Sequence, residues 1–160
     1  MLQTERCVVT PIQVEDYELA KALYTSEQVR AYLGGVVAEE VIEQLFPQIV
    51  AKANDGYIQV IRVKETNEAI GIISLDTHHD GKSTEVSYQF LPSSWGKGYA
   101  KEVVKAVIQY AFTERNEPYL VAETQSANEA SCRLLERVGM TVSDTLERFG
   151  AKQTIYKINK

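Results

Sequence analysis

The stretch Trp95-Gly96-Lys97-Gly98-Tyr99-Ala100 decides how this 160-residue chain is read. It follows an extended run, Glu85-Val86-Ser87-Tyr88-Gln89-Phe90-Leu91, and opens a segment in which Ala100, Val103, Val104, Val107, Ile108 and Ala111 recur at helical spacing. Gly96, Gly98 and Ala100 clear bulky side chains from alternate positions. Backbone N–H groups can then face outward at a helix N-terminus, where the dipole favours an anion. Strand, glycine turn and helix in that order predict a phosphate cradle. The two commonest phosphate signatures do not fit, since no Gly-Lys-Ser/Thr closes a Walker loop and no third glycine stands three positions after the second.

Working outward from the turn, residues from about Glu5 to Ile12 read as a first strand. Val14 to Leu33 reads as two short helices, because Thr25-Ser26 interrupts the pattern and supplies a new N-cap. Gly34-Gly35 ends them. Ala38 to Ala53 is helical again, and Pro47 is expected to break or kink it. Tyr57–Val63, Ala69–Leu75 and about Ser83–Leu91 read as three strands, the last two joined by a turn at Asp80-Gly81. Gly98–Arg115 is the clearest helix, followed by a short buried strand at Tyr119–Ala122. Ser126-Ala127-Asn128-Glu129 has the form of a capping box with Ser126 as the cap, and its helix runs to Val138 and stops at Gly139. Met140–Arg148 and Lys152–Ile158 read as a closing hairpin around Phe149-Gly150. The order predicts a single mixed α/β domain over 1–160, with about seven mostly antiparallel strands and four or more helices. The fourth and fifth strands flank a crossover helix and are expected to be parallel neighbours.

Composition narrows the function classes. Hydrophobic residues make up 44% and charged residues 24%, ordinary for a globular protein. A net charge of -5 argues against general nucleic-acid affinity and is compatible with a cationic amine partner. No apolar run approaches the ~20 residues of a membrane span. The N-terminus lacks a secretory pattern, and the two distant cysteines, Cys7 and Cys132, form no metal or disulfide framework. A reduced, cytoplasmic setting is the expectation. His78 and His79 fall in the predicted hairpin turn and read as surface residues, so no metal site is expected.

Leu91-Pro92-Ser93-Ser94-Trp95-Gly96-Lys97-Gly98-Tyr99-Ala100-Lys101-Glu102 resembles motif A of the GNAT superfamily of acetyl-CoA-dependent N-acetyltransferases. Asn128-Glu129-Ala130-Ser131-Cys132-Arg133-Leu134-Leu135-Glu136-Arg137-Val138-Gly139-Met140 resembles motif B, a helix and a strand later as that fold requires. Trp-Gly-Lys-Gly-Tyr-Ala and the Asn-x-x-Ser pattern are similar to the Rim-type branch, which includes N-terminal acetyltransferases of ribosomal proteins. The resemblance spans nearly the whole chain. It implies acetyl-CoA as cosubstrate, a parallel strand pair that splays apart, and direct attack of a primary amine on the thioester. The amine would be a protein N-terminus or a small molecule.

The same resemblance implies the site residues. Amides from Trp95, Gly96, Lys97, Gly98, Tyr99 and Ala100 would hold the pyrophosphate. Backbone near Phe90 and Leu91 would meet the pantetheine arm and steady the developing oxyanion. Glu85 is the expected general base, directly or through water, because an ammonium cannot attack until it loses a proton; the bland alternative is a strand charge paired with its neighbour. Many relatives carry a tyrosine acid where this chain has Leu135. Ser131 is its expected substitute toward the departing thiolate, with Asn128 binding pantetheine. Ser131 also reads as a small packing residue and Asn128 as a helix cap. Arg133 would reach the cofactor phosphates or stand as a solvated helix residue. Tyr88 and Tyr156 are alternative acids, and Cys132 reads as packing rather than as an acyl carrier. The absent tyrosine leaves a second reading open, a non-catalytic module that binds CoA as a sensor. Whether the chain is a monomer or a homodimer is not readable.

Overall fold

Apolar residues at alternate positions give the strands one face each, and the sheet buries both faces under helices. The computed structural model describes residues 1–160. Its strands are β1 (Leu2–Gln3), β2 (Cys7–Pro11), β3 (Tyr57–Val63), β4 (Ala69–Thr77), β5 (Thr84–Phe90), β6 (Tyr119–Gln125), β7 (Thr141–Arg148) and β8 (Ala151–Asn159). The helices are α1 (Tyr17–Tyr24), α2 (Glu27–Arg30), α3 (Glu39–Ala53), α4 (Tyr99–Thr113) and α5 (Glu129–Arg137). One sheet contains all eight strands in the order β1-β2-β3-β4-β5-β6-β8-β7. Neighbours are antiparallel except β5 and β6, which run parallel on either side of the α4 crossover. The sheet is therefore the expected mixed one, with an eighth strand. β1 is too short for alternation to reveal it, and it is held by pairing Leu2 with Val9.

Two cores flank the sheet. On one face, Val86 and Phe90 of β5 and Ile73 of β4 pack against Val103, Val104 and Val107 of α4. On the other, Ile12 and Val60 pack against Leu19, Leu23 and Phe46 of α1 and α3. Gly71 pairs with Phe90, and a Cβ there would come 2.6 Å from the Gln89 carbonyl oxygen and 3.0 Å from the Phe90 ring. Only glycine permits that approach.

Local expectations hold in part. Ser26 caps α2, its hydroxyl accepting the Val29 N–H at 3.2 Å. Pro47 does not end its helix: α3 runs from Glu39 through Ala53. The one carbonyl that Pro47 cannot serve belongs to Glu43, an exposed residue open to water, and buried Phe46 anchors the same turn. The cap of α5 is Asn128 rather than Ser126. Asn128 Oδ1 accepts the Ser131 N–H at 3.2 Å, while the Ser126 hydroxyl bonds Thr154 on β8 at 2.7 Å. Gly139 ends that helix at φ +99°, as expected.

Candidate active site

The parallel pair makes the site. β5 and β6 are bridged only at Glu85 and Val121, and beyond that point they diverge. A cleft of about 590 Å³ fills the fork. Tyr88 and Phe90 line it from β5, Glu123 and Thr124 from β6, and Asn128 and Ser131 from the start of α5. Val29 and Tyr32 close it from the α2 side.

The glycine turn forms one end of the cleft. Gly96 and Gly98 sit at φ +75° and +81°, a region that side chains disfavour, and Gly98 caps α4. Trp95, Gly96, Gly98, Tyr99 and Ala100 line the cleft; Lys97 does not, because its carbonyl accepts from the Arg6 guanidinium at 2.9 Å. Arg6 also pairs with Glu102 at 2.8 Å and lies 4.4 Å from the centre of the Tyr99 ring. Burial pushes the Glu102 carboxyl up, but hydrogen bonds from the Thr4 hydroxyl and from the Arg6 backbone and side chain outweigh it and hold the group below its ordinary value. Arg6 therefore pins the turn from behind, and the front is left with backbone amides. The Trp95 Nε1–H donates to the Phe90 carbonyl at 2.9 Å, fixing the turn to the end of β5. Leu91 lies off the cleft; its N–H is taken by the Ile70 carbonyl at 2.8 Å and its side chain joins the α1–α3 core.

At the crotch of the fork, Glu85 Oε2 accepts the Glu123 N–H at 3.0 Å. This carboxylate stands where a ladder bond would have been. Burial pushes its pKa up, against the lowering effect of that hydrogen bond and of His78, with Glu123 adding a further upward push. Glu85 does not itself form the cleft wall; it is tied to Glu123, which does. The Glu123 side chain is only 6% exposed, and both its oxygens are engaged: His78 Nε2 lies 2.7 Å from Oε1, and the Arg148 Nε–H donates to Oε2 at 2.9 Å. His78 is thus buried, contrary to the surface reading, because the β4–β5 turn folds it inward onto Glu123. His79 remains outside, with Phe149 edge-on at 5.4 Å.

Across the fork, the Tyr88 and Ser131 hydroxyls are 2.9 Å apart. Burial pushes the Tyr88 phenol up to about 12, so it stays protonated across the physiological range. Leu135 is buried in the core at 1% exposure. Arg133 turns to solvent beside Glu129, at 3.7 Å, and lies off the cleft, whereas Arg137 lines it. Tyr156 donates to Glu136 at 3.2 Å, and Cys132 packs half-buried against the main core.

The structure thus brings together the glycine turn, Phe90, Asn128, Ser131 and, at the crotch, Glu85. It leaves Leu91, Lys97 and Arg133 to the side. Sequence reasoning missed Arg6, Gln89, Glu123, Arg137 and Arg148. Glu123 was within reach, since no glycine or proline follows Ala122 before Gln125, and the strand runs on to Gln125. Arg148, at a hairpin tip, carries no such signal.

Comparison with known proteins bears on this geometry. The profile of the acetyltransferase (GNAT) domain matches residues 6–141, most of the chain. The chain belongs to the GNAT acetyltransferase family. Among its GNAT relatives is an uncharacterized N-acetyltransferase, YoaA, of Bacillus subtilis, 29% identical over 157 residues that cover 93% of this chain and 87% of that one. The spermidine N-acetyltransferase of Vibrio cholerae, solved in complex with CoA and spermine, superposes with a TM-score of 0.82 at 18% identity, covering 96% of this chain and 95% of that one. The ribosomal-protein-S5-alanine acetyltransferase of Vibrio fischeri gives 0.77 at 18% identity, covering 98% and 94%. At such identities the two structures share the GNAT fold with this chain. The two are named for different acceptors, spermidine and the alanine of a ribosomal protein, so the fold alone does not choose one. The chain is an acetyltransferase.

Proposed function

We propose that the chain transfers an acetyl group from acetyl-CoA to a primary amine by direct attack. The observation that carries this is the fork itself, which sets an amide-lined glycine turn at one end, a carboxylate of raised pKa at the crotch and a hydroxyl pair across the gap. The turn suits a pyrophosphate because two left-handed glycines free its backbone, with no lysine or metal required. The Rim-type pattern of Trp95–Ala100 and Asn128–Ser131 favours a peptide N-terminus among the acceptors.

Glu85 takes the ammonium proton, directly or through one water. The neutral nitrogen then attacks the thioester carbonyl, a C–N bond forms, and the C–S bond breaks. Backbone N–H groups at the open edge of β5 steady the oxyanion. Ser131 donates to the leaving thiolate and is resupplied by Tyr88 through their shared hydrogen bond. The second proton shed by the attacking nitrogen returns through water to the hydroxyl pair, leaving a neutral amide, CoA thiol and both hydroxyls protonated. Glu123 lines the cleft, but its engaged oxygens make it a poorer base than Glu85. Asn128 divides its amide between capping α5 and the pantetheine arm. The buried Leu135 favours the other reading, a CoA sensor without transfer. Amine-dependent thiol release from acetyl-CoA supports the enzyme, and CoA binding without release supports the sensor.

Two expected outcomes follow from these roles. Ser131→Ala and Tyr88→Phe each lower kcat, the first by about 10- to 100-fold and the second by less. The double variant falls little below Ser131→Ala, because the two hydroxyls act in series; steady-state thiol release with a fixed amine measures this. Arg6→Ala raises the KM for acetyl-CoA by roughly 5- to 10-fold, the scale of one or two lost hydrogen bonds, and changes kcat by less than about twofold. A KM unchanged within error would contradict the pinning role of Arg6.

A further inference from the structure

Behind β5, on the α1–α3 face of the sheet, lies a second recess of about 220 Å³. Ser87, Tyr88 and Gln89 line both this recess and the cleft, so β5 is their common wall. Alternation along β5 sends Ser87 and Gln89 to this face and Tyr88 to the other, where it meets Ser131. A molecule seated here approaches the fork from the side opposite α5.

The chemistry of the recess is specific. Tyr24, Ile49, Ile58 and Ile72 give it apolar walls. The only charges lining it are Lys52 and Asp76, whose side chains meet at 2.6 Å and cancel. Ser74 and Ser87 add neutral polarity. Gln89 Oε1 is fully buried and accepts no hydrogen bond from the chain. Enclosed and unpaired, this oxygen gains a donor when the side chain turns toward a molecule that enters the recess it lines.

We propose that this recess seats the side group of the acceptor and selects a monoamine that carries an uncharged apolar group and a neutral N–H donor for Gln89. The proposal rests on the acetyl-transfer reading and adds the acceptor class to it. A polyamine gains nothing here, because a second ammonium would meet apolar walls and a carboxylate already neutralised by Lys52. An acidic acceptor meets Asp76 and finds the one ammonium occupied.

The test compares kcat/KM for four amines at saturating acetyl-CoA. Leucinamide offers both apolar group and amide N–H, isoamylamine only the first, glycinamide only the second, and spermidine a polycation. Leucinamide is expected to exceed each of the other three by about tenfold or more, the discrimination that one paired buried acceptor supports. In Gln89→Leu the leucinamide-to-isoamylamine ratio should collapse toward one. In Gln89→Glu the preference should move toward spermidine. Circular dichroism and thermal unfolding of each variant confirm that it is folded. A wild-type preference for spermidine, or a ratio that survives Gln89→Leu, overturns the proposal and leaves acetyl transfer standing. Failure of every amine to release thiol overturns the acetyl-transfer reading and this proposal with it.

Discussion

Replacing Glu85 with glutamine is expected to lower kcat/KM by about 10²- to 10³-fold, the range for loss of a positioned general base, and at the same time to raise the Tm at neutral pH. The second effect follows from linkage. Burial raises the pKa of Glu85 above that of the unfolded chain, so the native state holds this proton more tightly. Its contribution favours folding at low pH and is lost as pH rises from the ordinary glutamate value through the raised one. Above that window an ionised Glu85 weighs against the fold. Glutamine removes the charge and keeps an oxygen for the Glu123 N–H, which Glu85 accepts at 3.0 Å. The Tm gain should therefore fade below the ordinary carboxylate range. In the wild type, kcat/KM should fall on the acid side at a pH above the ordinary glutamate pKa, and the variant should lack that limb. A Glu85→Gln enzyme with an unchanged pH profile and undiminished kcat/KM would remove Glu85 from the mechanism.

Arg148→Ala should do the opposite to stability. It strips one partner from the buried Glu123 carboxylate and leaves His78 as the other. Breaking a buried ion pair from one side costs about 3–5 kcal/mol; the Arg148 side chain is 27% exposed and one partner survives, so about 2–4 kcal/mol is expected here. For a chain of this length that is a Tm drop of roughly 5–15 °C. Adding Glu123→Gln to Arg148→Ala should recover part of the loss, since no unpaired charge then remains, and denaturant unfolding of the four proteins in the cycle measures the coupling. Additive losses would show that Arg148 acts by packing rather than by neutralising Glu123. Glu85 and Glu123, joined at the crotch of the fork through the Glu123 N–H, are thus separated by experiment. Under the proposed mechanism the first weakens the fold and serves the chemistry, while the second is a strut between the β4–β5 turn and the β7–β8 hairpin.

What the sequence revealed follows from what short-range patterns encode. The turn at Trp95–Ala100 was legible because two glycines before a helix-period run admit few other geometries, and they do sit at positive φ. The crossover helix predicts β5 and β6 as parallel neighbours, and they are. Gly139 and Ser26 acted as the stop and the cap that their chemistry suggests. The errors came where tertiary contact overrode local preference. Ser126 has a good capping hydroxyl, but Thr154 of β8 claims it, so the role passed to Asn128. His78 looked solvated in a polar turn, and its burial depends on Glu123, 45 residues away. Arg6 matters to the glycine turn through Lys97 and Glu102, partners that no spacing rule connects to it. The Gln89 carboxamide was invisible as an unsatisfied acceptor until α1 and α3 were seen to close over its face of the sheet.

The most direct test of acetyl transfer through this fork incubates the purified chain with acetyl-CoA and leucinamide, following free thiol and acetylated amine together. Equal yields of the two products, at a rate that saturates in each substrate and needs both, are expected. Tight CoA binding with no amine-dependent thiol and no acetylated product, across leucinamide, glycinamide, isoamylamine and spermidine alike, would contradict it.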